Sequence, residues 1–363
     1  RPRSEGRETL LEDRVDFRLP GGPAVHRLLA GTVRRRLERS FRYRHRTVRD
    51  DLRTHLGRRP GDAWRVAVTG SSGLIGRQLV AFLRSGGHEV LRVTRGSAAG
   101  GDEIGWDPES GLRTPARAEG LDAVVHLAAE PLPGLWTEEK KRSIVRSREE
   151  GTRNLVRSLR SLESPPETLI STSAVGYYGD RGDETLTEES AAGEGFLADV
   201  CRRWEAAARG AEEAGIRVVR LRLGVVVSGR GGALPVMLPA FRLGLGGALG
   251  DGRQWMSWVS LDDVLDAIHL ALDREEVRGA VNVVAPGEVR HGEFVRTLGH
   301  VLSRPVPFRV PEALLRAAPG ELAEEMLLAS QRVEPAALRD AGFSFRHTDL
   351  EGALRQELGR FAD

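Results

Sequence analysis

The stretch Val66-Ala67-Val68-Thr69-Gly70-Ser71-Ser72-Gly73-Leu74-Ile75-Gly76 constrains the fold more than any other part of the chain. A strand-forming apolar run ends in Thr69, and three glycines follow at G-x-x-G-x-x-G spacing. Leu79-Val80-Ala81-Phe82-Leu83 then shows helical apolar spacing. Strand, tight turn and helix N-terminus gather backbone N–H groups and the positive end of a helix dipole at one point, which suits a pyrophosphate. Gly70 takes the sharp turn, Gly73 lets backbone approach the phosphates, and Gly76 lets the helix lie close on the strand. Ser72, Leu74 and Ile75 complete the predicted phosphate loop. A second strand about 20 residues on strengthens the motif considerably.

From Trp64 onward, strand and helix patterns alternate. Strands are predicted at Arg65–Thr69, Glu89–Thr94, Ala123–Leu127, Thr168–Ser171 and Arg217–Leu221. Helices are predicted at Leu74–Ser85, Glu138–Leu162 and Phe196–Ala214. Such alternation builds an α/β fold, a doubly wound parallel Rossmann sheet covered on both faces. Val281-Asn282-Val283-Val284 is expected to return as a late strand of the same sheet. Residues 229–260 read as irregular, and the chain from Pro311 on as mostly helical, with Glu321–Gln331 its clearest helix. The expected division is a remnant and linker at 1–60, a cofactor domain at 61–230 and a smaller, mostly helical substrate domain at 231–363, with 281–285 rejoining the sheet.

Composition narrows the function. Of 54 basic residues only Lys140 and Lys141 are lysine, and residues 1–60 carry a net charge of about +9. The whole chain is +2, so the main body is mildly acidic, which argues against nucleic acid as a partner. No apolar run approaches the roughly 20 residues of a membrane helix. The Arg-rich start has no signal-like apolar core, and the first residue is not Met, as in a fragment or processed product. The single Cys201 excludes an intramolecular disulfide and a multi-Cys metal site. The nine histidines show no metal-ligand spacing, so no metal is expected. These features point to a cytoplasmic monomer or homodimer acting on a small molecule.

Within residues 1–60, Val15-Asp16-Phe17-Arg18-Leu19 alternates like a strand, and Val25 to Leu56 reads as one long helix. Val33, Leu37, Phe41, Val48 and Leu52 form its apolar stripe, with arginines on the wet face. This piece resembles the last strand and C-terminal helix of a START-like (polyketide-cyclase-like) domain. Gly57-Arg58-Arg59-Pro60-Gly61 is the expected linker.

The second predicted strand ends Val93-Thr94-Arg95. An NAD site places an acid there to hold the ribose 2′-OH, whereas Arg95 can pair with a 2′-phosphate, so NADP(H) is the expected cofactor. The strand ending His126-Leu127-Ala128-Ala129-Glu130 has small residues that leave room for the cofactor at the sheet edge. His126 lies in an apolar run and reads as a packed core residue.

The Thr69–Gly76 loop, His126–Glu130 and Ser171-Thr-Ser-Ala-Val-Gly-Tyr-Tyr-Gly179 resemble the extended short-chain dehydrogenase/reductase superfamily. Trp136–Lys140 leading to Arg146-Ser-Arg148, Arg253–Val259 and Leu327–Arg332 resemble its atypical "epimerase family" branch, which has its own C-terminal domain. The resemblance spans roughly Trp64 to Leu358. It implies a Rossmann fold and NADP(H) binding, puts Ser173 at the catalytic serine, and puts Arg148 where a helix Asn often holds a structural water. It also implies a Tyr-x-x-x-Lys pair, which this chain lacks: neither lysine follows any of Tyr43, Tyr177 or Tyr178 by four residues. Leu197 and Cys201 stand at those two positions.

Tyr177, Tyr178, an acid among Asp107, Asp180, Asp183, Glu184, Glu188 and Glu189, or water remains as proton donor. The tyrosines equally fit a role as pocket walls. Trp255 and Trp258 fit either a substrate wall or a pinned loop. Two readings stand: an NADP(H)-dependent reductase- or epimerase-like enzyme, and a non-catalytic NADPH-binding module that reports redox state to a partner.

Overall fold

The computed structural model describes residues 2–5, 8–56, 63–96, 100–316 and 323–361. The expected linker at 57–61 lies outside the described residues. By contacts, the chain divides into two units, Arg1–Val48 and Arg49–Asp363.

The first unit holds an antiparallel strand pair, Pro2–Glu5 with Glu8–Leu11, and most of a 34-residue helix, α1 (Gly22–His55). The strand expected at Val15–Leu19 does not form. That segment lies back along α1 instead: Asp13 pairs with Arg44 at 2.9 Å, and the Phe17 ring lies 6.1 Å from His26. An alternating pattern becomes a strand only with a neighbour to complete its hydrogen bonds.

The central sheet of the second unit has eight strands: β1 (Arg65–Thr69), β2 (Glu89–Arg95), β3 (Glu103–Asp107), β4 (Gly111–Leu112), β5 (Ala123–His126), β6 (Thr168–Ala174), β7 (Arg217–Leu223) and β8 (Gly279–Val283). Their order is β8-β7-β6-β5-β1-β2-β3-β4, parallel except for the β3–β4 pair. Strand alternation sends side chains to two cores. Val66 and Val68 of β1 pack with Leu79 and Leu83 of α2 (Leu74–Ser85) and with Val264 and Ile268 of α6 (Leu261–Asp273). Ala67 faces the other way, with Leu155 and Leu159 of α3 (Glu138–Arg160). The strand order reverses at β1, between β2 and β5, so the carboxyl ends of these strands open onto a crevice.

Three sequence expectations change here. β3 and β4 are short edge elements with little periodicity, and the alternation did not reveal them. Residues 229–260 contain a helix, α5 (Ala233–Arg242), whose Leu234, Leu238 and Phe241 are buried at helical spacing despite Pro239 inside it. In the expected Glu321–Gln331 helix, residues 321–322 lie outside the described set, and only a π-helical turn, Ala323–Leu328, forms. The backbone then leaves the helix because Gln331 N–H donates to Trp255 O and Arg332–Val333 pairs with Thr185–Leu186.

The last turns of α1, within the second unit, are tied to α6 and the C-terminal region. Arg346 pairs with Asp51 at 2.9 Å and with Asp266, and the Thr54 hydroxyl donates to Asp266 at 3.0 Å. Another carboxyl carries a pH signature. Burial, reinforced by Asp262, pushes Glu357 up to about 7, although Gly229 N–H donates to it at 2.8 Å. A carboxyl held protonated more tightly in the folded chain stabilises it below the unfolded pKa, about 4.3, and that contribution disappears as pH rises to about 7. Glu357→Gln should therefore flatten the fall in Tm between about pH 4 and pH 7, and an unchanged slope would show that Glu357 titrates alike in both states.

Candidate functional site

The glycine loop fits a pyrophosphate cradle. Gly70 sits at φ +64°, and a Cβ on it would lie 2.9 Å from the Leu127 carbonyl and the Ala128 amide. A Cβ on Gly76 would lie 2.2 Å from Gly70 O, and one on Gly73 would lie 3.2 Å from the same oxygen. α2 begins with no side-chain cap and no acid in its first turn. The amides there, including those of Leu74 and Ile75, and the positive dipole end are thus available to an anion. Ser72 is exposed on the loop.

The loop is held by a residue the sequence did not single out. Buried Thr69 Oγ1 accepts from the amides of Leu127 and Ala128 at 3.0 and 3.1 Å and contacts His126 Nδ1 at 2.8 Å. His126 Nε2 meets Thr152 Oγ1 at 3.0 Å, and burial pushes its pKa down to about 4. His126 is a satisfied core histidine. Next to it, Arg148 donates to the Glu130 carbonyl at 2.9 Å and stacks over Trp204, and the Glu130 carboxylate receives Lys140 at 2.6 Å. Ala129 lies between these anchored residues, half-buried. Arg95 is exposed at the carboxyl end of β2.

Ser173 lies buried near the end of β6. Its hydroxyl donates to Glu205 Oε1 at 2.8 Å. Glu205, on α4 (Phe196–Arg209), is also buried and receives Arg222 Nε and Nη2 at 2.8 and 3.0 Å and Arg220 Nη1 at 3.1 Å. Burial alone would lower the Arg222 pKa, but hydrogen bonds and attraction to Glu205 outweigh it and raise it. Arg222 Nη1 donates onward to the Tyr178 hydroxyl at 2.9 Å, whose single proton faces Asn282 Oδ1 at 2.7 Å and Thr187 O at 2.9 Å. Burial pushes Tyr178 up to about 12. Tyr177 is half-buried, with the Arg222 guanidinium 3.5 Å above its ring. The sequence did carry a signal for this network: beyond Arg217 at its start, Arg220 and Arg222 fall on one face of an apolar strand, and buried cations need a carboxylate.

A cavity of about 480 Å³ lies on the far side of Gly176 and Gly179, and none of Ser173, Tyr177 and Tyr178 is among its walls. Gly176, Asp180, Leu197, Gln254, Glu325 and Gln331 are among its walls. Leu197 thus faces the cavity. Cys201 is buried, and burial followed by the Glu205 charge pushes its thiol up to about 11, which fits a packing residue. Of the six acids named from sequence, only Asp180 is among the cavity walls. Asp183 is taken by Trp255 Nε1 and Arg290, Glu184 by Arg181, Asp107 by Arg113, and Glu188 by the amides of Asn282 and Ala337. Trp258 is fully buried, donating to Gly287 O at 2.7 Å, and pins its loop.

A doubly wound sheet with an uncapped glycine-loop helix at its switch point defines an NAD(P)-binding Rossmann enzyme. The chain matches the NAD dependent epimerase/dehydratase family over residues 66–284 and a domain of unknown function, DUF1731, over 310–357. It belongs to that epimerase/dehydratase family. An epimerase family protein of Mycobacterium bovis is 44% identical over 290 residues, covering 80% of this chain and 96% of the relative. The crystal structure of human epimerase family protein SDR39U1 with NADPH aligns at TM-score 0.74 and 33% identity, covering 80% of this chain and 98% of that one. A nucleoside-diphosphate sugar epimerase from Corynebacterium glutamicum aligns at TM-score 0.73 and 39% identity over 88% of this chain. The present chain spans 64% of the length of that Corynebacterium chain. No described helix is long and apolar enough to cross a membrane.

Proposed function

We infer that the chain is an NADP(H)-binding, atypical short-chain dehydrogenase/reductase-like oxidoreductase or epimerase that works without a Tyr-x-x-x-Lys pair. The observation that carries this reading is the open N-terminus of α2, with three glycines pressed against backbone and no competing side chain. A bound nicotinamide supplies or accepts a hydride. The chain's own residues bind and orient. The amides of Ser72, Leu74, Ile75 and Gly76 hold the pyrophosphate, while Gly73 N–H closes the loop on Gly70 O at 2.9 Å. Leu127, Ala128 and Ala129 line the sheet edge, and Arg148 fixes that loop through Glu130. Residues 61–230 form the cofactor side and 231–363 the substrate side. Residues 1–60 read as the tail of a START-like domain on the strength of the 34-residue helix alone, because the strand expected at Val15–Leu19 does not form.

Arg95 selects the 2′-phosphate. NADPH is expected to bind more tightly than NADH by about 1.5–3 kcal/mol, the worth of a charge-assisted contact, which is roughly tenfold or more. Arg95→Ala removes most of that difference. Equal dissociation constants for the two cofactors in the parent protein, by calorimetry, would sink this assignment.

Substrate enters the 480 Å³ cavity. Carboxylates of Asp180, Glu194, Asp251 and Glu325 around it disfavour a diphosphate and favour a neutral or cationic carbonyl compound or alcohol. Ser173 polarises the carbonyl once its hydroxyl turns from Glu205 to the substrate. Tyr178, engaged in the core with a raised pKa, is a poor proton donor, which leaves Tyr177, Asp180 or water. One observation favours the other reading, an NADPH-binding redox module: the Ser173 proton is committed to Glu205. Single-turnover loss of NADPH absorbance against a carbonyl panel separates the two. The parent is expected to oxidise NADPH, and Ser173→Ala to slow this by about 10²-fold or more with NADPH affinity unchanged. A parent that binds NADPH and never oxidises it is a redox module, and a Ser173→Ala variant as fast as the parent removes Ser173 from the reaction.

A further inference from the structure

Three histidines distant in sequence meet at one seam of the second unit. His55 ends α1, His88 lies in the turn before β2, and His269 is on α6. Each offers one ring nitrogen, and these atoms all lie within 4.8 Å of one another. Ring centroids are 5.1 Å apart for His55–His269, 5.6 Å for His55–His88 and 6.4 Å for His88–His269. Three imidazoles on one tetrahedral ion, with metal–N bonds of about 2.0–2.1 Å, have centroids roughly 5–5.5 Å apart. The His55–His269 separation already fits, the His55–His88 separation is just outside, and the third closes with a shift of about 1 Å, within reach of side-chain torsions.

The surroundings hold the rings in place. His88 and His269 are buried and His55 is half-buried. Trp64 stacks on His88 at 4.5 Å and meets His269 edge-on at 5.2 Å, and Phe82 packs on His55 at 4.5 Å. Gly86 makes room for the His55 ring, since a Cβ there would lie 2.4 Å from Nδ1. His55 Nε2 is 3.1 Å from the Phe82 carbonyl, so Nε2 carries the proton and Nδ1 keeps a lone pair, the usual second-sphere arrangement of a metal-bound imidazole. Trp64 N–H donates to His88 Nδ1 at 3.1 Å, so a metal at Nε2 moves the ring proton to Nδ1 and breaks that hydrogen bond. The cluster stands at the amino ends of β1 and β2, away from the glycine loop and the cavity.

We propose that His55, His88 and His269 form a three-imidazole site for a zinc-class divalent cation, which clamps the end of α1 to the Rossmann body. An all-imidazole donor set suits zinc and its borderline neighbours and discriminates against magnesium and calcium. The test uses the full chain without a histidine tag, stripped by chelator, then titrated with Zn²⁺ and with Co²⁺. Uptake of about one equivalent is expected, with the intense visible bands of tetrahedral Co²⁺ and a rise in Tm on adding Zn²⁺. His269→Gln and His55→Gln should each weaken Zn²⁺ binding about tenfold or more. His300→Gln, at an exposed histidine elsewhere, should leave it unchanged. Absence of both stoichiometric Zn²⁺ uptake and tetrahedral Co²⁺ bands in the parent overturns the proposal. Unchanged Zn²⁺ affinity in His55→Gln, at the half-buried edge of the cluster, overturns it equally and leaves the cluster as aromatic packing.

Discussion

Glu205→Ala is expected to destabilise the fold by about 3–5 kcal/mol, the cost of leaving a buried ion without its counter-ion. Glu205 is the one carboxylate shared by Arg222, Arg220 and the Ser173 hydroxyl. Its removal strands the Arg222 guanidinium, which is 3% exposed, beside Tyr178 and the end of β6. Glu205→Gln keeps the shape and part of the hydrogen bonding and should fall between the parent and alanine. Denaturant unfolding of the three proteins measures this. A loss below about 1 kcal/mol for Glu205→Ala would mean that the two arginines reach water by a small rearrangement, and that the network is no constraint on the serine.

The second large effect is expected at Gly76→Ala. The new Cβ would lie 2.2 Å from Gly70 O, so the loop and the first turn of α2 must separate. Overpacking of this kind costs about 1–3 kcal/mol of stability. It also moves the amides that hold the pyrophosphate. Losing two charge-assisted hydrogen bonds, at about 1.5–3 kcal/mol each, weakens dinucleotide binding by roughly a hundredfold or more. Calorimetry with NADPH and NADH reads the loss, which should be the same for both because the change is remote from the 2′ position. Unchanged affinity would remove the loop from the binding site.

Most of the Rossmann frame was legible because buried parallel strands are short apolar runs and their helices carry a 3.6-residue stripe. The strands at Arg65–Thr69, Ala123–His126 and Arg217–Leu223 needed only that pattern. The glycine loop was legible because its spacing is local. What the sequence hid is what depends on distant pairing. Val15–Leu19 alternates but finds no partner strand, and Arg332–Val333 becomes a strand only beside Thr185–Leu186. The partner of Ser173 was only half legible: Arg220 and Arg222 on one face of a strand call for a carboxylate without saying which one. Nothing near residue 173 announces a carboxylate on α4 and two arginines on β7. Tyr178 read as a pocket candidate, yet its hydroxyl is spent in the core on Asn282, about a hundred residues away. Local motifs report phosphate loops well, whereas a proton inventory requires the assembled sheet.

The start of α4 has a further consequence for the order in which the molecule is made. Its first two amides, on Phe196 and Leu197, donate to the Glu325 carboxylate at 2.7 and 2.6 Å, across almost 130 residues of chain. No side chain of its own N-cap, Gly195, can serve them. During synthesis on the ribosome, this helix end therefore relies on water until residue 325 has emerged. The cavity wall that bears Leu197 acquires its final acceptor only when the C-terminal region emerges. A chain released before that point would leave the α4 end of the cavity wall without its acceptor.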